Sequence, residues 1–170
     1  SRWDFKVVKF VKQSELMCYS YKELGEKHVH FVSRYDFKTY HEFVKSLHTL
    51  LDTADITVAH SGGSFDDKMS NRFFVTEGLT PPRPRKTVDT LRAAKRHFRF
   101  ESNKLDDLGY FLGLGRKETV GYAELEDDFM SGNPSKKTVR LIKQYNDQDV
   151  KLLEAIDLRM RPFMSSHPNI

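Results

Sequence analysis

Cysteine is almost missing from this sequence. Cys18 is the single cysteine in 170 residues, which excludes an internal disulfide framework and a zinc cage built on cysteines. The seven histidines form no zinc pattern either: His28 and His30 alternate along a strand-like stretch, with no third ligand suggested nearby. Apolar runs of membrane-spanning length are lacking. The first ten residues carry charge and have no apolar centre, which reads as the absence of a signal peptide. Internal repeats and low-complexity tracts are also absent.

What remains has the composition of a soluble globular protein, with 38% hydrophobic and 31% charged residues and a length that suits one domain, 1–170, with its own core. A reducing cytoplasm is the expected setting. The net charge of +4 hints only weakly at a polyanionic partner. Basic residues gather in Arg83-Pro84-Arg85-Lys86 and in Lys95-Arg96-His97-Phe98-Arg99, and acids in Glu124 to Asp128. Each run taken singly reads first as a solvated face.

Two short strands, Leu16 to Tyr21 and His28 to Val32, are expected to form a hairpin about Gly25. Phe43, Val44, Leu47, Leu50 and Leu51 recur at helical spacing within Phe37 to Asp52. A strand from Ile56 to Ala59 and a helix from about Phe65 to Gly78 follow. Pro81-Pro82-Arg83-Pro84 cannot continue a helix and leads into a short strand, Thr87 to Asp89. Helices are expected over Leu91 to His97, Lys104 to Leu112 and Lys136 to about Arg159, the last two separated by a polar loop at Gly132-Asn133-Pro134. Strands alternating with helices predict an α/β sandwich.

Two segments carry chemistry. Tyr145-Asn146-Asp147-Gln148-Asp149 places a phenol and a carboxylate one helical turn apart on one face, where they can position a water and hold a divalent metal. Ile56-Thr57-Val58-Ala59-His60-Ser61-Gly62-Gly63-Ser64-Phe65-Asp66 is a β-branched strand ending in a small-residue turn that delivers a second carboxylate. The glycines allow close approach of a nucleotide, and the following helix presents free N–H groups to anions. In Thr87-Val88-Asp89-Thr90-Leu91, Asp89 reads first as a helix cap, the alternative being a carboxylate that supports the metal ligands from behind. In Phe100-Glu101-Ser102-Asn103-Lys104-Leu105-Asp106, Ser102 or Asn103 can cap a helix while Lys104 stays free to touch a phosphate.

With Leu108, Leu112 and Gly113, these segments resemble the tyrosine subclass of the DEDD exonucleases, a group that takes in YprB-like proteins and the proofreading domains of DNA polymerases. The resemblance implies a ribonuclease H-like mixed sheet flanked by helices. It also implies metal-dependent hydrolysis of DNA or RNA from a single-stranded 3′ end, in a bacterial or phage-infected cell, with a part in phage replication or proofreading. Two Mg²⁺ or Mn²⁺ ions about 3.5 to 4 Å apart would activate water and stabilise the leaving oxygen. Asp66 would bridge the metals, Asp149 would ligate from the last helix, and Tyr145 would hold the attacking water. Ser61, Gly62, Phe65, Asn103 and Lys104 would contact the strand.

The sequence departs from that pattern in two places. Ser61 stands where the relatives usually carry asparagine. The family's opening strand carries Asp-x-Glu and runs in the middle of the sheet, whereas Asp4-Phe5-Lys6 has the wrong third residue and no apolar strand before it. The expectation is therefore an exonuclease core whose first, central strand and half of whose metal site are missing. The chain would be a piece of a longer protein, completed by an upstream segment or by a second polypeptide. The alternative is a catalytically incomplete module that binds nucleic acid or a protein partner. Arg161-Pro162-Phe163 to Ile170 resembles the passage into a further C-terminal segment. If the acids lie within the chain, Asp4 and Glu15 are the first candidates.

Overall fold

Unpaired strand edges need partners for their N–H and C=O groups, and Trp3 to Val11 supplies a segment rich in valine and aromatic residues to meet that need. The computed structural model describes residues 3–11, 15–60, 66–116, 121–165 and 167. Its strands are β1 (Trp3–Val11), β2 (Glu15–Glu23), β3 (His30–Ser33), β4 (Ile56–Ala59) and β5 (Lys86–Asp89), in one sheet ordered β3-β2-β1-β4-β5. The expectation of a missing central strand is thereby overturned. Here β1 runs through Asp4 rather than before it, antiparallel to β2 from Asp4↔Glu23 to Val11↔Glu15 and parallel to β4 from Trp3↔Ile56 to Phe5↔Val58. The expected hairpin about Gly25 is present, with β2 longer than foreseen, β3 shorter and starting at His30 instead of His28, and Gly25 at φ 81°.

A bulge interrupts the first ladder. Lys9 faces Cys18 and Phe10 faces Leu16, so Met17 is the extra residue on β2. Met17 and Cys18 consequently join one small cluster with Phe129 and Ile142, while Leu16 packs on the opposite side of the sheet with Phe43, Val44 and Leu47.

That opposite side is covered by α1 (Tyr40–Thr53) and α2 (Asp66–Thr76). Thr39 caps α1 by accepting the Glu42 N–H at 3.2 Å. The other side carries α3 (Thr90–His97), α4 (Leu105–Phe111), α5 (Tyr122–Met130) and the 25-residue α6 (Lys136–Met160). Val150, Leu153, Ile156 and Met160 of α6 are buried on Ile56, Val58 and Val88, which seats the helix across the sheet. Lys22 Nζ, 2.5 Å from Glu154, adds a largely buried ion contact between β2 and the same helix.

Helix α5 is absent from the sequence expectations because its acids suggest an exposed run. Tyr122, Leu125 and Phe129 nevertheless line one face, Phe129 is fully buried, and the Tyr35 hydroxyl donates to the Phe129 carbonyl. No helix among the described residues is long and apolar enough to cross a membrane.

Candidate functional site

The end of β4 is tied to two loops by one histidine. His60 lies just past Ala59, with Nδ1 2.8 Å from the Thr90 hydroxyl and Nε2 2.8 Å from the Asn103 carbonyl. A carbonyl only accepts, so Nε2 carries the proton, and Nδ1 then accepts from Thr90. Burial lowers the His60 pKa, which agrees with a neutral ring. The Thr90 hydroxyl also lies 3.2 Å from the Ala59 carbonyl. Asp89 caps α3 as expected, accepting the Leu91 N–H at 2.9 Å and the Arg92 N–H at 3.4 Å.

This clamp brings the sequence-predicted Asn103 to the strand end. Asn103 Oδ1 is enclosed, with no hydrogen-bond donor among the described residues. Lys104, and not Ser102 or Asn103 as expected, sits at the N-cap of α4, with its side chain exposed and making no capping bond. The Ser102 hydroxyl accepts the Lys104 N–H at 3.4 Å and donates to Asp107 at 2.5 Å. Asp66 is the first residue of α2, while Ser61, Gly62 and Phe65 lie outside the described residues.

Tyr145 and Asp149 both lie on α6, one helical turn apart. Asp149 is 3% exposed, and Tyr145, one turn earlier, is half-buried. Its ring meets that of Tyr122 edge-on, with centroids 5.8 Å apart. Between them Asn146 is fully buried, and its amide approaches Cys18 Sγ at 3.6 Å, which fixes this face of α6 over β2. Burial above all, and then the nearby Glu126, Cys18 and Asp149, push the Tyr122 pKa up, so this phenol is neutral.

Asp149 also lines a cleft of about 380 Å³ with Gly115, Arg116, Gln148 and Lys151. Arg116 is held by Asp106 at 3.4 Å and Asp107 at 3.1 Å, and its guanidinium lies 4.7 Å from the Tyr110 ring centre. Asp149 thus shares the lining of this cleft with Lys151, the amide side chain of Gln148 and an Arg116 already paired with two aspartates. Such a setting accommodates an anionic backbone as well as a water. Tyr122, Arg116 and Gln148 were not singled out from the sequence. Tyr122 follows from no local motif, whereas Gln148 lies inside the pentapeptide already marked.

Among the described residues the ligand set for a two-metal centre is not complete. Among the described residues no three histidine, cysteine or acidic side chains converge. The ionisable residues of β1 are Asp4, Lys6 and Lys9, and two cations do not supply the hard anionic donors that Mg²⁺ or Mn²⁺ requires. Asp4 and Glu15 cannot act together. Asp4 pairs with Glu23 at one end of the ladder and Glu15 with Val11 at the other, seven strand residues or roughly 23 Å away. Glu15 is moreover bound by Arg34 at 2.9 Å.

Comparison with known proteins places this geometry in a wider group. A family model described as RNase_H superfamily matches residues 11–160, from the last residue of β1 through α6. Among solved structures the chain is similar to the family B DNA polymerase from the hyperthermophilic archaeon Pyrobaculum calidifontis. The likeness has a TM-score of 0.71 at 12% identity and covers 95% of this chain, which spans 24% of the polymerase. At that identity the likeness is one of fold. No curated protein matches. The family match takes in well over half of the sequence and every described strand and α-helix after β1, so the chain belongs to the RNase H superfamily.

Proposed function

We propose that this chain is a domain of a metal-dependent nuclease that hydrolyses DNA or RNA from a single-stranded 3′ end, as the tyrosine-subclass exonucleases do. The observation that carries this reading is the pair on α6: Tyr145 half-buried, and Asp149 buried one turn later in the lining of a cleft that it shares with Arg116, Gln148 and Lys151. Divalent ions, when bound, supply the charge that activates water and stabilises the leaving oxygen. Asp149 and Asp66 are the proposed ligands of this chain. Tyr145 orients the water through its hydroxyl, because a neutral phenol is a poor base. Arg116 and the exposed Lys104 hold the strand through its phosphates.

The test is digestion of a 5′-labelled single-stranded oligonucleotide by the purified protein with Mn²⁺ or Mg²⁺. Asp149→Ala is expected to abolish shortening from the 3′ end, and Tyr145→Phe to slow it by a smaller factor. Normal turnover in Asp149→Ala would overturn the assignment. A second reading is a nuclease-derived module that binds a strand without cutting it, favoured by the lack of three converging ligands among the described residues. Its signature is salt-sensitive binding with no digestion under any divalent ion.

A further inference from the structure

We infer that an exposed aromatic ridge beside the cleft is a stacking track for single-stranded nucleic acid. The inference rests on the nucleic-acid reading above and adds a route for the strand beyond the cleft. Phe98 and Phe100 are rooted against the main core, and their neighbours carry the ridge outward. Phe163 meets Phe98 edge-on at 5.5 Å, Phe100 lies parallel to Phe111 at 6.0 Å, and Phe111 adjoins Tyr110 at 5.9 Å. The outer rings are open to solvent, with Phe163 66%, Tyr110 61% and Phe111 40% exposed.

Three of the five large apolar side chains that the described residues expose therefore sit in this one place. Scattered exposed apolar residues need no explanation, but a contiguous set does. The ridge also has a direction. At one end Tyr110 lies under the Arg116 guanidinium, and Arg116 lines the cleft that holds Asp149. A base stacked on Tyr110 is thus adjacent to the candidate site, and the rings toward Phe163 continue away from it.

Charge selects the occupant. Lys95, Arg96 and Arg99 are exposed on the segment that delivers Phe98 and Phe100. Glu101 is exposed next to them, while Asp106 and Asp107 are engaged by Arg116. Rings interleaved with cations form the usual platform for a single strand, since every base has a face to stack and every phosphate a charge to neutralise. The centre of a protein interface, by contrast, is depleted in lysine and in charge generally.

The experiment measures binding of fluorescein-labelled oligothymidylates of about 6 and about 25 nucleotides in EDTA at low salt, lengths that bracket the usual site of one such platform. The long oligonucleotide is expected to bind more tightly than the short one. Tyr110→Ala with Phe163→Ala should remove that gain, lowering affinity for the long strand about tenfold or more. Val75→Ala, which removes an exposed apolar side chain on α2 instead of one on the ridge, should retain it. Digestion with no length-dependent binding would leave the proposed function standing and sink the track.

A second variant guards against a folding artefact. Phe163→Trp preserves a stacking ring, so it should keep the gain and show indole fluorescence quenched by the long oligonucleotide. Unaltered affinity in the double alanine variant, or an unquenched indole, overturns the inference. So does a double alanine variant whose only change is loss of self-association, because the ridge would then be a protein contact.

Discussion

Two titratable side chains hold opposite positions with respect to pH. His60 is buried between Thr90 and Asn103, and burial brings its pKa below the usual histidine value of 6.5. A lowered histidine pKa means that the clamp's contribution is present above the unfolded value and is lost as pH falls through the folded one. We expect the His60 ring, followed by NMR, to titrate below 6.5, with the Asn103 loop loosening over the same range. A midpoint at or above that value would show that burial does not govern this site. Asp147 lies on the same helix as the candidate pair, and burial raises its pKa above the usual 3.8, against the opposing pull of Lys143, Lys151 and His28. Its contribution is therefore present below 3.8 and lost as pH rises through the folded value, so at neutral pH the charge is unfavourable. Asp147→Asn should melt higher than the parent at neutral pH, and the difference should close in acid. An Asn variant that melts lower at neutral pH would contradict the sign.

Contacts between elements fix the cleft more than any single group does. Gly109 of α4 is the tightest of them: a Cβ built there would stand 2.5 Å from the Gly115 carbonyl and 2.9 Å from Leu152 Cδ1. Gly109→Ala must push the Gly115–Arg116 loop away from α6, at a cost of about 1–3 kcal/mol. Denaturant unfolding should register that loss, and an unchanged midpoint would mean that the loop gives way freely. At the far end of α6, Asp157 is fully buried between Arg161 at 2.6 Å and His167 at 3.3 Å. Removing it in Asp157→Ala leaves a cation with little solvent in its place, so a loss of about 3–5 kcal/mol is expected by the same measurement. Much of this level was legible in the sequence. Asp89 marks the start of α3, because a short oxygen-bearing side chain before a helical stretch has few other local uses, whereas the caps Thr39 and Ser135 emerge only from the structure. The run Ile56 to Ala59 announced β4 to the residue. Helix α5 was not legible, since its apolar stripe is sparse and its acids dominate any local reading. The pairing of Tyr145 with Asp149 follows from helical spacing, but Tyr122 and Arg116 reach them from elements distant in sequence, and no local pattern encodes that approach.

For the whole molecule the decisive element is β1, because it alone joins the antiparallel half of the sheet to the parallel half. Phe5 marks the junction, paired with Lys22 of β2 on one side and with Val58 of β4 on the other. A strand with neighbours on both sides has no face on which a missing N–H can turn to water. Phe5→Pro removes that donor and fixes φ, for a cost of about 3 kcal/mol or more, a large part of the stability of a domain this size. Loss at this junction also separates β2 from β4, whose freed edges become templates for intermolecular pairing. The expected outcome is loss of the cooperative melt together with aggregation that depends on protein concentration. Hydrogen exchange on the parent chain gives an independent reading: amides of β1 between its two neighbours should be among the slowest to exchange, and those of the edge strands β3 and β5 should be faster. If Phe5→Pro melts like the parent and β1 exchanges as fast as the edges, Trp3 to Val11 does not hold the sheet together. The centre of the fold would then need a different strand, and with it a different source for the acids that do not converge on Asp149 among the described residues.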